Sequence, residues 1–185
     1  LEFVRDAAED DRPLRLEVPA SHVLDDLAFQ PAVRRSPGAG EVELRVVAAG
    51  LNFRDVLKTL GMYPGPAGAL GDECSGEVAA VGAGVHRFQV GDRVVGIVPG
   101  ALATFVTTRA DLLVHLPDVL SYEDAAGIPI PFVTADYALN HVAQLQPGQR
   151  VLIHAAAGGV GLAAVQLAQS AGAEIYATAG SPKKR

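Results

Sequence analysis

A single cysteine, Cys74, stands among 185 residues. No disulfide can close within the chain, and no zinc site can be built from cysteines alone. This scarcity suits a reducing, intracellular compartment. Lysine is also rare, with two of three copies in the closing Lys183-Lys184-Arg185 run. No basic face precedes that run, and the net charge is -6. Both facts argue against nucleic acid as the main partner. Residues 1–11 are acidic and lack the apolar stretch of a secretory signal. There is no repeat, no low-complexity linker and no Gly-x-Ser-x-Gly or other hydrolase signature. An initiating methionine is missing, and no closing element follows Arg185, so the chain reads as a piece of something longer. Residues 151–173 carry no charge and are long enough to cross a bilayer. Gly158, Gly159 and Gly161, with His154, Gln166, Gln169 and Ser170, weigh against a membrane span.

What the chain does contain is globular: 49% apolar and 19% charged residues. The first two thirds read as β. Leu14, Leu16 and Val18 alternate, and so do Val42, Leu44 and Val46, as half-buried strands require. A short helix is expected from Phe53 to Leu60, stopped by Gly61, followed by a Gly- and Pro-rich loop. Strands are expected at 73–81, after the turn at 90–92, and at 103–108. Such closely spaced short strands suggest a compact, barrel-like β domain.

The character changes near Pro117. Ser121 with Glu123 and Asp124 resembles a helix start. Pro131 suits the first turn of a helix running to about His141. A strand over 150–154, a helix over 158–171 and a strand over 174–178 then form the opening βαβ of a doubly wound fold.

The strand at 150–154 runs into Ala155-Ala156-Ala157-Gly158-Gly159-Val160-Gly161. Against the G-x-G-x-x-G pattern the first position is Ala156, while Gly158 and Gly161 match. Small residues let the backbone approach a pyrophosphate, and a helix N-terminus offers N–H groups and partial positive charge to it. Tight helix–strand packing without a ligand is the alternative. No acid follows Glu174 at the end of the second strand. Ser181, Lys183, Lys184 and Arg185 follow instead. A hydroxyl and cations suit a 2′-phosphate and a carboxylate would repel it. NADPH is therefore expected over NADH, unless those cations merely face water.

Three further motifs accompany the glycine turn in order: Ala48-Ala49-Gly50-Leu51-Asn52-Phe53-Arg54-Asp55-Val56, Gly71-Asp72-Glu73-Cys74-Ser75-Gly76-Glu77-Val78 and Val90-Gly91-Asp92-Arg93-Val94. Together they resemble the medium-chain dehydrogenase/reductase superfamily. Asn52 to Val56, followed by Gly61-Met62-Tyr63-Pro64-Gly65, is similar to the enoyl reductase domains of polyketide synthases, on the zinc-independent, quinone-oxidoreductase-like branch. The resemblance implies an α/β chain: a GroES-like β-barrel domain over 1–120, carrying substrate and active site, then over 121–185 the start of a truncated Rossmann domain for NADPH. Zinc-dependent relatives place Cys at the position of Asn52 and His at that of Asp72. Neither ligand is present, so no metal is expected.

The same resemblance implies the chemistry. NADPH would reduce the α,β double bond of a trans-2-enoyl thioester on the phosphopantetheine arm of an acyl carrier protein. Other synthase domains would share the polypeptide, and the compartment would be cytoplasmic. Tyr63 is the candidate proton donor to the α carbon, or else a loop tyrosine with its hydroxyl in water. Asn52 and Thr134 would lie near the nicotinamide. Their alternatives are a strand-end amide satisfying backbone groups and a helix threonine bonding its own turn. Ala157, Gly158, Gly159, Val160 and Gly161, with Ser181, Lys184 and Arg185, would hold the cofactor. Asp55 reads as a structural acid at a helix start, Asp72 and Glu73 as buried hydrogen-bonding groups, and Cys74 as an inert buried thiol. His115, His141 and His154 share no spacing and read as core or surface residues. The alternatives are a stand-alone NADPH quinone or enone oxidoreductase and a non-catalytic structural fragment. The 185-residue piece is expected to be inactive alone.

Overall fold

A computed structural model describes residues 12–66 and 68–180. The chain divides after Gly127 into two compact units, Leu1–Gly127 and Ile128–Arg185.

The first unit is built on a five-stranded antiparallel sheet. Strands β1 (Leu14–Glu17) and β2 (Ala28–Pro31) form a separate hairpin. The sheet comprises β3 (Glu41–Ala49), β4 (Glu73–Val81), β5 (Arg93–Ile97), β6 (Phe105–Arg109) and β7 (Leu113–His115), in the spatial order β6-β3-β4-β5-β7. The hairpin is tied to the residues entering β6. Leu16 N–H donates to Leu102 O and Thr104 N–H to Leu14 O.

The core follows the alternation of β3. Val42, Leu44 and Val46 point inward and pack with Cys74, Val78, Phe88, Val94, Val98 and Leu113. One residue breaks the expected pattern. Glu43 should face solvent, yet it is buried. Arg34 explains this: its Nε and Nη2 grip both carboxylate oxygens at 2.9 and 2.8 Å. The same guanidinium lies over the Phe105 ring at 3.9 Å, so a bidentate ion pair is capped by a cation–π contact. Two strands, β2 and β7, were not expected. β2 is exposed throughout and carries no alternation. Its pairing with β1 alone defines it.

Helix α1 (Phe53–Thr59) follows β3, and α2 (Tyr122–Ala126) closes the unit. Ser121 caps α2 as expected, its Oγ accepting from Asp124 N–H at 3.0 Å. The helix ends after five residues at Gly127.

The second unit contains α3 (Pro129–Asp136), β8 (Arg150–Ile153), α4 (Gly159–Ser170) and β9 (Glu174–Ala177). β8 and β9 are parallel neighbours in register from Arg150↔Glu174 to Ile153↔Ala177, and α4 makes the crossover. Pro131 does lie in the first turn of α3. The helix does not continue regularly to His141, however. After Asp136 it widens into a π-helical segment, Tyr137–Val142, and Ala143 N–H reaches back five residues to Ala138 O at 2.9 Å. Ala163, Ala164 and Ala168 of α4 pack with Ala135, Leu139 and Ile153. Small side chains allow this close helix contact. Among the described residues no helix is long and apolar enough to cross a membrane.

Candidate active site

In the first unit the chemistry-bearing residues gather where β3 leaves the sheet and β4 re-enters it. Asn52 precedes α1 in extended conformation. Its N–H donates to Asp55 Oδ2 at 3.0 Å, which ties down the helix start. Asp55 is buried. Its other oxygen accepts the Gly71 N–H at 2.8 Å. The expected structural role for Asp55 thus gains a second half, since it anchors the far end of the loop that carries Tyr63.

The Asn52 side chain completes a capping box with the Asp55 backbone. Its Nδ2 donates to Glu73 Oε1 at 2.9 Å. Glu73 is 1% exposed. Gly50 makes room for it, because a Cβ there would stand 2.4 Å from Glu73 Oε1. Next to Glu73, Cys74 is fully buried. Burial, with the charge of Glu73, pushes its thiol up to about 12.

Asp72 is buried and faces two cations. Arg54 donates from Nε to Oδ2 at 2.8 Å and its Nη2 contacts Oδ1. Lys58 Nζ lies 3.7 Å from the same Oδ1 and donates to Ala69 O at 2.7 Å. The Asp72 hydrogen bond, then its charge, raise the Arg54 guanidinium above its ordinary value, with a further contribution from Tyr63. Tyr63 itself is half-buried. Tyr63 N–H and Met62 N–H both donate to Leu57 O, at 3.1 and 2.9 Å. Arg54 and Lys58, one helical turn apart, carried no site expectation of their own. Their only sequence signal is the i, i+4 spacing on a short helix.

Asn52 and Asp72 are thus engaged by protein groups. An amide nitrogen already on Glu73 and a carboxylate already facing two cations form a poor donor set for a further cation. No group of three His, Cys, Asp or Glu side chains suited to a metal occurs among the described residues.

In the second unit the glycine turn lies between β8 and α4. Gly158 is the N-cap of α4 and supplies no side-chain cap. Gly158 and Gly159 are exposed. At Gly159 an added Cβ would meet nothing within 4 Å, whereas at Gly161 it would stand 2.3 Å from Ala155 O. The backbone is folded back on itself at Gly161 and open at Gly159. Ala155 takes a left-handed φ of 51°, which costs a non-glycine residue strain. Thr178 holds it there. Its Oγ1 accepts from Ala155 N–H at 3.2 Å and lies 3.2 Å from His154 Nδ1. Its carbonyl accepts from Ala156 N–H at 2.9 Å. Thr178 is a site residue that the motif does not announce. The turn fits a dinucleotide: small residues, an open first helical turn and no capping side chain. Val160 is the second residue of that turn, and Ala157 precedes the N-cap. Thr134 is exposed on α3. Ser181, Lys184 and Arg185 lie outside the described residues.

His115 and His154 are exposed and bonded to Arg87 O and near Thr178, respectively. His141 stacks on Tyr137 with ring centroids 5.8 Å apart.

Residues 38–118 match the alcohol dehydrogenase GroES-like domain. Erythronolide synthase EryA2 of Saccharopolyspora erythraea is 53% identical over 168 residues, covering 90% of this chain and 5% of that protein. The crystal structure of CurK enoyl reductase superposes with a TM-score of 0.89 at 48% identity, covering 94% of this chain and 56% of that one. The Escherichia coli quinone oxidoreductase complexed with NADPH superposes with a TM-score of 0.80 at 33% identity, over 94% of this chain and 53% of that one. The chain thus spans little more than half of these solved reductases and a small part of the synthase. It belongs to the medium-chain dehydrogenase/reductase superfamily, and over nine-tenths of its length it is similar to the enoyl reductases of polyketide synthases.

Proposed function

We propose that this chain is part of an enoyl reductase that uses NADPH to saturate the α,β double bond of a trans-2-enoyl thioester. The thioester would be carried on the phosphopantetheine arm of an acyl carrier protein, with other synthase domains in the same polypeptide, in the cytoplasm. The observation that carries this reading is the pairing of an uncapped glycine turn in one unit with a zinc-poor polar cluster in the other. Asn52 and Asp72 occupy the positions of zinc ligands in related dehydrogenases and are bound instead by Glu73, Arg54 and Lys58.

NADPH, when bound, supplies a hydride to the β carbon. Ala157 to Gly161 would hold its pyrophosphate through backbone N–H groups at the start of α4. Ser181, Lys184 and Arg185 would hold the 2′-phosphate. Tyr63 would deliver a proton to the α carbon, where enolate charge collapses. Asn52 would present its amide on the nicotinamide side, and Thr134 its hydroxyl.

The experiment is NADPH and NADH oxidation by the reductase completed downstream of Arg185, with crotonyl-pantetheine and a simple quinone side by side. Thioester-dependent NADPH consumption supports the reading. Turnover with the quinone alone replaces it with a stand-alone quinone oxidoreductase. Tight NADPH binding without any turnover points to a non-catalytic module. The 185-residue chain alone is expected to show no turnover, because it spans 56% of the CurK reductase.

A further inference from the structure

Asn52 is held from three sides. Its N–H donates to Asp55 Oδ2 at 3.0 Å, its side chain completes the capping box with the Asp55 backbone, and its Nδ2 donates to Glu73 Oε1 at 2.9 Å. Together these contacts leave the amide one orientation. The box needs an acceptor, and Oδ1 is the only acceptor in an asparagine side chain. A glutamate carboxylate accepts, so the end that meets Glu73 must be the nitrogen. Nδ2 carries two hydrogens. One is on Glu73, and the second has no partner among the described residues.

The anchor itself is enclosed. Glu73 is the first residue of β4, opposite Ile97 of β5, and is 1% exposed. Gly50 closes over it. The Gly50 N–H donates to Glu73 O at 3.2 Å, and an added Cβ at Gly50 would stand 2.6 Å from the Glu73 Cγ and Cδ. A side chain so confined has little room to swing away and let the amide turn.

We propose that Glu73 is a positioning residue for Asn52, fixing its amide as a one-way donor whose second N–H goes to a carbonyl oxygen of the bound ligands. Two such oxygens enter the reaction, the carboxamide of the nicotinamide and the carbonyl of the thioester. The geometry excludes the reverse bond, in which Asn52 would accept from the carboxamide NH2, because Oδ1 is committed to the helix start. This role rests on the reductase reading above, with Asn52 beside the reacting groups.

The test uses the reductase completed downstream of Arg185, with Kd for NADPH from fluorescence titration and KM from turnover of crotonyl-pantetheine. Glu73→Leu keeps the bulk and removes the acceptor, and is expected to raise at least one of the two constants about 5- to 10-fold, the worth of one hydrogen bond. A raised Kd assigns the N–H to the carboxamide; a raised KM with Kd unchanged assigns it to the thioester. Glu73→Gln retains an acceptor oxygen and should return the constant to within about twofold of wild type. In an Asn52→Ala background Glu73→Leu should add less than about twofold, since the amide it holds is gone. A full additional loss there, or two unchanged constants in Glu73→Leu with circular dichroism intact, overturns the proposal. A second readout leaves Glu73 untouched. In 15N-labelled wild type the Asn52 side-chain NH2 pair, assigned by its disappearance in Asn52→Ala, should show one proton shifting when NADPH or crotonyl-pantetheine is added while the other holds its place. No shift with either ligand, or equal shifts of both protons, contradicts the one-way donor. Absence of wild-type turnover, with NADPH still moving that one proton, overturns the reductase reading and leaves the donor role standing.

Discussion

Asn52 and Glu73, 21 residues apart in sequence, meet through a 2.9 Å hydrogen bond between an amide nitrogen and a nearly solvent-free carboxylate oxygen. The bond fixes the Asn52 amide nitrogen on the carboxylate, while the same side chain completes a capping box with the Asp55 backbone. Glu73→Ala removes the acceptor and leaves a void, and is expected to cost about 2–4 kcal/mol of stability. Glu73→Gln keeps the shape and should cost about 1 kcal/mol. Urea unfolding followed by far-ultraviolet circular dichroism measures both. The side-chain amide resonance of Asn52 should shift in each variant.

The glycine turn offers a contrast within one motif. Gly161→Ala puts a methyl 2.3 Å from a backbone carbonyl, which no side-chain rotation relieves. It should lower the melting temperature by several degrees, for about 2–3 kcal/mol, and abolish NADPH binding. Gly159→Ala meets open space and should leave the melting temperature within about 1–2 °C, as a neutral surface change does. Thermal melts and fluorescence titration with NADPH separate the two.

Much of the fold is legible in the sequence for simple reasons. The period-2 pattern of Val42, Leu44 and Val46 and the strand–glycine–helix order of the second unit are local signals, and local signals survive reading one residue at a time. What escapes is long-range. Glu43 is buried because Arg34 and Phe105 arrive from elsewhere. β2 is a strand only because β1 lies beside it. The π-helical widening at Tyr137–Val142 has no pattern to announce it. In the site, Asn52, Tyr63, Thr134 and the glycines are named by motif. The contacts Asn52–Glu73 and Arg54–Asp72, and the grip of Thr178 on Ala155, span 18 to 23 residues. No spacing rule links such pairs.

Asp55 joins the helix start to the loop end, so its loss should free both. Asp55→Ala is expected to cost about 2–4 kcal/mol, since it removes one buried and one part-buried hydrogen bond at once. Limited thermolysin digestion should then cut within residues 61–71 faster than in the wild type. Unchanged cleavage would show that Lys58 and Leu57 hold the loop without it.

Cys74 gives a pH dependence. Burial pushes its thiol from 9.0 to about 12. The folded state therefore holds the proton where the unfolded chain has released it. This contribution to stability is fully present below about pH 9 and is lost as pH rises from 9 toward 12. Cys74→Ala should flatten that part of the stability–pH curve. A thiol reagent at pH 8 should react with wild type only after urea is added.

The central claim is that hydride goes to the β carbon of an enoyl thioester. The direct measurement is mass spectrometry of the product formed by the complete reductase from crotonyl-pantetheine and NADPH deuterated at the transferable C4 position. The account predicts one deuterium at the β carbon, and one at the α carbon when unlabelled NADPH is used in heavy water. NADPH oxidation without deuterium in the acyl chain, or label appearing only in a reduced quinone, would contradict it.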